Sequence, residues 1–281
     1  MPNIKLAALD VDGTLVRSDL SLSPSVVQSL QNLRDADVEV AIVTGRSMGE
    51  LIAFRESLPW IRYFVVSNGA TGLDTQTNTR FYEKLLPLAI ARAVEREARK
   101  YPVMTEVYAD DISYVNRDCW EHSELYTAEF LHHPSLVKGR VPVESVGDLL
   151  DERKSDIEKL YISFRDTADL PKLRSFCERF PVDLVVSIHD GLEVNQKGVE
   201  KGSGLLALCK YLGISPAEAA AVGDGMADIA MFEQVGLSIA MENALESVRA
   251  RANLVAPPNN CDGAVWAIRQ ILRSRESAFS G

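Results

Sequence analysis

Three short apolar runs near the start of the chain each stop abruptly at polar residues, and this narrows the choice of fold. Residues 4–9 lead into Asp10-Val11-Asp12-Gly13-Thr14, residues 38–43 into Thr44-Gly45-Arg46, and residues 63–66 into Ser67-Asn68-Gly69. Runs this short and this apolar predict strands buried on both faces, as in a parallel sheet. Between the first two, Ser23-Pro24 predicts an N-cap followed by proline at the first helical position. Val26, Val27, Leu30 and Leu33 then recur at helical spacing. A second helix is expected over residues 48–57. Strand, helix, strand, helix, strand with short loops predicts a doubly wound α/β sheet, which gathers ligands at the carboxyl ends of its strands. The Asp10, Thr44 and Asn68 groups all fall at such ends.

From about Tyr82 the pattern changes. Residues 87–100 predict an amphipathic helix, and residues 104–108 and 112–115 a hairpin around Asp110-Asp111. A strand is expected at 157–164, a helix at 171–180 and a strand at 184–188. This mixture predicts a separate α+β domain at 83–187, inserted into a core made of 1–82 plus 188–281. The first pattern then resumes. Gly198-Val199-Glu200-Lys201-Gly202 opens an apolar helix, and Ser215-Pro216-Ala217-Glu218 has capping-box residues. Ala219-Ala220-Ala221-Val222 predicts a strand that runs into Gly223-Asp224-Gly225-Met226-Ala227-Asp228. A further strand is expected at 237–241 and a last helix at 263–274, with a frayed tail.

Two acids one residue apart at the end of a buried strand repel each other and lose hydration. A divalent cation is the obvious compensation. Gly13 can take backbone angles closed to other residues and turn its amide toward an anion. Metal, anion and a nucleophilic carboxylate at one strand tip suggest phosphate chemistry, although Asp-Gly is also a common turn signal.

The formal net charge is −10. That disfavours nucleic acid or an anionic membrane surface as the main partner, while leaving room for a local positive pocket. No apolar run is long enough to span a bilayer, and the opening Met1-Pro2-Asn3 lacks the basic start of a signal peptide. Cys119, Cys177, Cys209 and Cys261 are scattered, with no C-x-x-C, as expected of free thiols in a reducing cytoplasm. His132 and His133 lack partners at metal-ligand spacing and are expected on a surface or loop. No dinucleotide-binding G-x-G-x-x-G follows a first strand, and Lys201-Gly202-Ser203 is not a P-loop because the lysine precedes its glycine.

Taken in order, Asp10-Val11-Asp12-Gly13-Thr14, Thr44 with Gly45-Arg46, Lys201, and Gly223-Asp224 with Asp228 resemble the four motifs of the haloacid dehalogenase-like hydrolase superfamily. Ser67-Asn68-Gly69-Ala70, Gly198–Gly202, Ala240-Met241-Glu242-Asn243-Ala244 and Asp262-Gly263 are similar to its Cof-type sugar-phosphatase branch. The motifs run from residue 10 to residue 263, and the inserted segment carries the branch's size and position but no motif. One departure stands out: Ala227 occupies a position where Cof-type members usually carry Asn. It puts the catalytic rate in doubt more than the reaction type.

The resemblance implies a Rossmann-like core with an inserted C2-type α+β cap that excludes water and contacts the leaving group. It implies a Mg²⁺-dependent phosphatase acting on small phosphate monoesters, such as sugar phosphates. Mg²⁺ would be held by the Asp10 carboxylate, the Asp12 backbone carbonyl and Asp224. Asp10 would attack phosphorus to form an aspartyl-phosphate. Asp12 would protonate the leaving alcohol and then take a proton from the hydrolytic water. Lys201 and Thr44 would hold phosphoryl oxygens, and Asp228 would sit behind, orienting Lys201 or a metal-bound water. Gly13, Gly45, Arg46 and Asn68 are candidates for phosphate or substrate contact, with His189 and Asn195 as further core-side candidates. The implied partner is a small phosphorylated metabolite, with neither nucleic acid nor membrane, and the oligomeric state stays open. Two alternatives share these residues: a phosphomutase, and a non-catalytic sensor of a phosphorylated ligand. A receiver-type signalling domain would carry its acceptor aspartate at the third strand and need no insert.

Overall fold

The computed structural model describes residues 3–126, 133–186 and 191–279. His132 and His189 lie outside them. Contacts divide the chain into two compact units: residues 1–45, 57–83 and 200–281, and residues 46–56 and 84–199.

The first unit starts with β1 (Leu6–Leu9), β2 (Glu39–Val43), β3 (Tyr63–Val66), β4 (Thr71–Asp74) and β5 (Thr79–Glu83). The second unit supplies β6 (Val103–Ala109), β7 (Ile112–Asn116), β8 (Arg140–Val143), β9 (Lys159–Phe164), β10 (Val182–Val186) and β11 (Leu192–Gln196). The chain then returns to the first unit with β12 (Ala219–Gly223), β13 (Leu237–Met241) and β14 (Leu254–Ala256).

The first sheet has the order β14-β13-β12-β1-β2-β3-β4-β5. Its pairings from β14 to β3 are all parallel, as the apolar runs predict. Every residue of β1 is buried, because helices cover both faces of its sheet. Leu6, Ala8, Ala41, Val43 and Val65 pack with Leu205, Leu208 and Cys209 of the helix Lys201–Leu212. The helix Pro24–Asp35 starts as its sequence says it should: Ser23 Oγ accepts from the Val26 amide at 3.3 Å, with proline next in line.

Three features depart from the expected pattern. The antiparallel strands β4 and β5 extend the sheet over a stretch to which the sequence pattern assigns no element. Asp74 anchors this extension: it is fully buried, takes two bonds from Arg62 at 2.7 and 2.6 Å, and a third from the Tyr211 hydroxyl at 3.0 Å. The Arg62 guanidinium holds its carboxyl well below the usual range. Second, the region beyond the last cysteine ends in a helix that continues to Phe279, past the expected stop at 274.

Third, the second unit runs on beyond residue 187. Its sheet has the order β10-β11-β9-β6-β7-β8, and β11 sits between β10 and β9, antiparallel to both. It also gains β8 and the helix Val146–Glu152, in a stretch to which the sequence pattern assigns no element. Val107, Ala109, Leu160, Ile162, Phe164, Leu192 and Val194 form one face of the sheet and pack against Ala91, Val94 and Leu173 of its helices. The alternate residues Glu106, Tyr108, Lys159 and Asn195 are buried too, so both faces exclude water and the hydrophobic alternation is visible only against polar partners.

Among the described residues no helix is long and apolar enough to cross a membrane. All four cysteines are free. Burial pushes the Cys177 thiol up to about 12 and the Cys209 thiol up to about 11, whereas Cys261 is exposed. An aromatic disulfide reagent should therefore titrate Cys261 in the native protein and reach Cys177 and Cys209 only on unfolding. Loss of the fast phase in Cys261→Ser checks the assignment; rapid native labelling of Cys177 would contradict it.

Candidate active site

The register of the first sheet aligns three strand ends. Leu9 of β1 lies beside Val222 of β12 on one side and Ile42 of β2 on the other. The residues that follow these strands therefore emerge at one edge. Asp10 leaves β1 with its amide still bonded to the Val222 carbonyl at 3.0 Å, and its side chain stays buried. The chain then turns. Asp12 has extended angles (φ −75°, ψ 129°) and is exposed, and Gly13 takes φ 71°. Asp10 and Asp12 thus part company, one buried and the other facing solvent. A Cβ at Gly13 would run into the Asp224 carboxylate, so only glycine fits at this turn.

Lys201 is the first residue of its helix and is buried. Its ammonium lies 2.8 Å from Asp10 Oδ1 and 2.7 Å from Asp228 Oδ1. Asp228 is fully buried, and its second oxygen accepts from the amides of Asp224 at 3.0 Å and Gly225 at 2.8 Å. That carboxylate is saturated and works as an orienter. Asp224 is more open: Thr14 Oγ1 donates to its Oδ1 at 2.9 Å and Asn243 Nδ2 to its Oδ2 at 3.3 Å.

Asp10, Asp224 and Asp228 bring carboxylate oxygens within 4.8 Å of one another. An all-oxygen donor set suits a hard divalent cation. Asp10 and Asp224 fit that use better than Asp228, which is fully buried and held by the Lys201 ammonium and two backbone amides. Burial pushes the Asp10 carboxyl well above the usual range; Lys201 pulls against this, and Asp228, Asp224 and Asp12 add to it. Burial, with Asp228 beside it, pushes Asp224 up to about 6. Burial alone would discharge Lys201, yet Asp10 and Asp228 hold its ammonium charged, with a raised pKa.

Thr44 is buried at the end of β2. Its amide donates to the Val65 carbonyl at 2.9 Å and its carbonyl accepts from the Asn68 amide at 3.0 Å. Asn68 adopts the left-handed region (φ 61°), and its side chain closes over Gly45. The structure thus brings Thr44, Gly45 and Asn68 together.

Two expected rim residues stand elsewhere. Arg46 belongs to the second unit by its contacts and is buried, with Nη1 3.5 Å from the Glu50 carbonyl. Asn195 is not core-side: it lies in β11, because that strand pairs with β9 and β10. Conversely, Asn243 and Thr14 have contacts that the motif pattern does not announce. Asn243 Nδ2 also donates to the Gly13 carbonyl at 2.9 Å, and its Oδ1 accepts from the Asn259 amide at 3.0 Å. The available signal was its place two residues beyond β13, the same kind of strand tip that marks Asp10.

The raised carboxyls make a measurable prediction. A cation must displace protons from acids whose pKa lies above the usual range, so binding strengthens as pH rises through about 6. The increase in melting temperature given by magnesium chloride should be small at about pH 5 and larger at about pH 7.5. Equal increases at both would contradict the site.

A family model of haloacid dehalogenase-like hydrolases matches residues 7–268. The chain is 27% identical to a pyridoxal phosphate phosphatase of Escherichia coli, over 92% of this chain and 95% of the relative. It is 26% identical to a 5-amino-6-(5-phospho-D-ribitylamino)uracil phosphatase of Bacillus subtilis, over 94% of this chain and 96% of that one. In fold it is similar to the crystal structure of a haloacid dehalogenase-like hydrolase from Bacteroides thetaiotaomicron, with a TM-score of 0.84, 22% identity, and coverage of 95% and 99%.

Proposed function

The chain belongs to the haloacid dehalogenase-like hydrolases, and on that footing we propose that it is a Mg²⁺-dependent phosphatase of small phosphate monoesters, working through an aspartyl-phosphate. One observation carries the reading: a buried lysine 2.8 Å from a buried aspartate at a strand tip, with the carboxylates of Asp224 and Asp228 clustered around that aspartate. An ammonium so placed offsets the repulsion between a carboxylate nucleophile and a phosphate dianion.

Asp10 is the nucleophile, attacking phosphorus and holding the phosphoryl group as an acyl phosphate. Lys201 stabilises the negative charge on the phosphoryl oxygens, and the Thr44 hydroxyl and the Gly13 amide complete the cradle. Gly45 and Asn68 line the same edge. Asp12, exposed beside the buried Asp10, gives the leaving alcohol its proton and then takes one from the attacking water. Asp228 keeps Lys201 aimed. Asp10, Asp224 and the Asp12 carbonyl would hold the cation, which supplies further neutralisation of phosphoryl charge when bound. Arg46, buried and turned to the Glu50 carbonyl, is a weaker candidate for substrate contact.

The second unit takes the part of the family's inserted cap. The named relatives act on pyridoxal phosphate and on a phosphoribityl compound, which supports a small phosphorylated metabolite as substrate, with sugar phosphates included. A cytoplasmic setting agrees with four free thiols.

The test is turnover of p-nitrophenyl phosphate with magnesium chloride. Asp10→Asn should lower turnover by at least about a thousandfold while the far-ultraviolet spectrum stays native. Unchanged turnover would sink the assignment. Phosphate release from a hexose 1-phosphate, without isomerised ester, separates a hydrolase from a mutase. Ala227 is half-buried beside Asp228, so Ala227→Asn should be accepted, with activity equal to or above that of the unsubstituted protein. A large loss there would show a site rebuilt around alanine.

A further inference from the structure

The tips of β1, β12 and β13 are tied together by one exposed side chain. Asn243 stands two residues beyond β13 and lies outside the core. Its amide makes three hydrogen bonds, each to a different loop of the first unit. Nδ2 donates to the Gly13 carbonyl at 2.9 Å, in the turn after β1, and to Asp224 Oδ2 at 3.3 Å, directly after β12. Oδ1 accepts from the Asn259 amide at 3.0 Å, in the short helical turn Asn259–Cys261 that follows β14. The partners fix which end of the amide is which, because a backbone carbonyl only accepts and a backbone N–H only donates.

The supports of this tie are firm. The Glu242 amide continues the β13–β14 ladder by donating to the Ala256 carbonyl at 2.9 Å, and the Ala244 amide closes back on the Met241 carbonyl at 3.0 Å. The main chain on each side of Asn243 is therefore held. Asn259 is buried, and its own side chain donates to the Val16 carbonyl at 3.0 Å. The turn after β1 is thus gripped at two points by two asparagines that bond to each other: at Gly13 by Asn243, and at Val16 by Asn259.

That turn needs an outside grip. Gly13 sits at φ 71° with no Cβ to restrict it, and glycine moves between backbone regions more freely than any other residue. It also lies directly against Asp224 Oδ2, the same oxygen to which Asn243 donates. The other oxygen of Asp224 accepts from Thr14 Oγ1 at 2.9 Å. Both oxygens of this carboxylate therefore receive a neutral donor, one from the turn after β1 and one from the tip of β13. Asp10 and Asp228 are oriented instead by the Lys201 ammonium.

Stability alone is a poor reason for the arrangement. Asn243 is exposed, and there a hydrogen bond replaces one to water with little net gain. What the amide supplies is geometry, because a single planar group bonded to both the Gly13 carbonyl and Asp224 sets one against the other.

We infer that Asn243 is a positioning residue for the cation site: it sets the Asp224 carboxylate against the turn that carries the Asp12 carbonyl. The inference rests on the reading of Asp224 and the Asp12 carbonyl as cation ligands. Side chains that orient metal ligands in this way change metal affinity or activity by about ten- to a hundredfold.

The experiment is a calorimetric titration of the full chain with magnesium chloride, paired with the magnesium dependence of p-nitrophenyl phosphate turnover. In Asn243→Ala the Kd for Mg²⁺ should rise about tenfold or more, and the Mg²⁺ concentration giving half-maximal turnover should rise by a similar factor. A merely structural role would lower the melting temperature in the presence of a chelator and leave both magnesium constants in place. A Kd within about twofold of that of the unsubstituted protein would therefore overturn the inference. If Asn243→Ala fails to fold, Asn243→Ser is read in its place: it keeps a polar exposed side chain but is too short to span both acceptors, so the same rise is expected. An unsubstituted protein that neither binds Mg²⁺ nor turns over the ester removes the phosphatase reading and the inference with it. An unsubstituted protein that does both, with Asn243→Ala binding Mg²⁺ as tightly, removes the inference only.

Discussion

A buried ammonium between two buried carboxylates governs the first unit. Lys201 touches both Asp10 and Asp228, and none of the three has water to fall back on. Removing one partner would leave an uncompensated charge in a low-dielectric setting, which is strongly destabilising. The surrounding backbone is arranged to prevent that. Asp228 spends its second oxygen on two amides of its own loop, Asp10 continues the β1–β12 ladder, and Lys201 starts a helix that packs on the sheet. The ion cluster thus ties β1, β12 and the helix Lys201–Leu212 to one geometry, and the chemistry inherits it.

The same cluster is short of positive charge. One lysine faces Asp10, Asp228 and the neighbouring Asp224, and the carboxyls answer by rising above their usual range. A site in this condition gains from any added cation. The asymmetry between Asp10 and Asp12 follows from the turn at Gly13. It buries the acid proposed as nucleophile and exposes the acid proposed to exchange protons.

The second unit solves a different problem with similar means. Its sheet is covered on both faces, and the face opposite its apolar core buries Glu106, Tyr108, Lys159 and Asn195. Ion pairs link its elements there: Lys159 of β9 lies 3.3 Å from Glu193 of the neighbouring β11, and Arg140 of β8 reaches past β7 to Glu106 of β6 and to Glu50. Buried pairs of this kind contribute little net stability compared with apolar side chains of similar volume.

Local sequence determined the parallel strands, because apolar, β-branched runs of this length have no other comfortable environment. It also determined the polar tips, since Asp10, Thr44, Lys201 and Asp224 stand directly beside those runs or at a helix start. The hairpin β4–β5, the strands β8 and β11, and the docking of residues 46–56 were decided by tertiary structure. Their signals are partners, not patterns: Asp74 needs Arg62 and Tyr211, β11 needs β9 and β10, and Glu50 needs Arg140, ninety positions away. The same holds for Asn243, whose amide matters only because β13 lies two strands from β1 and delivers it to Gly13 and Asp224. A residue's chemistry is written in its own side chain, whereas the partner that gives it a role comes from the register of strands far apart in the chain.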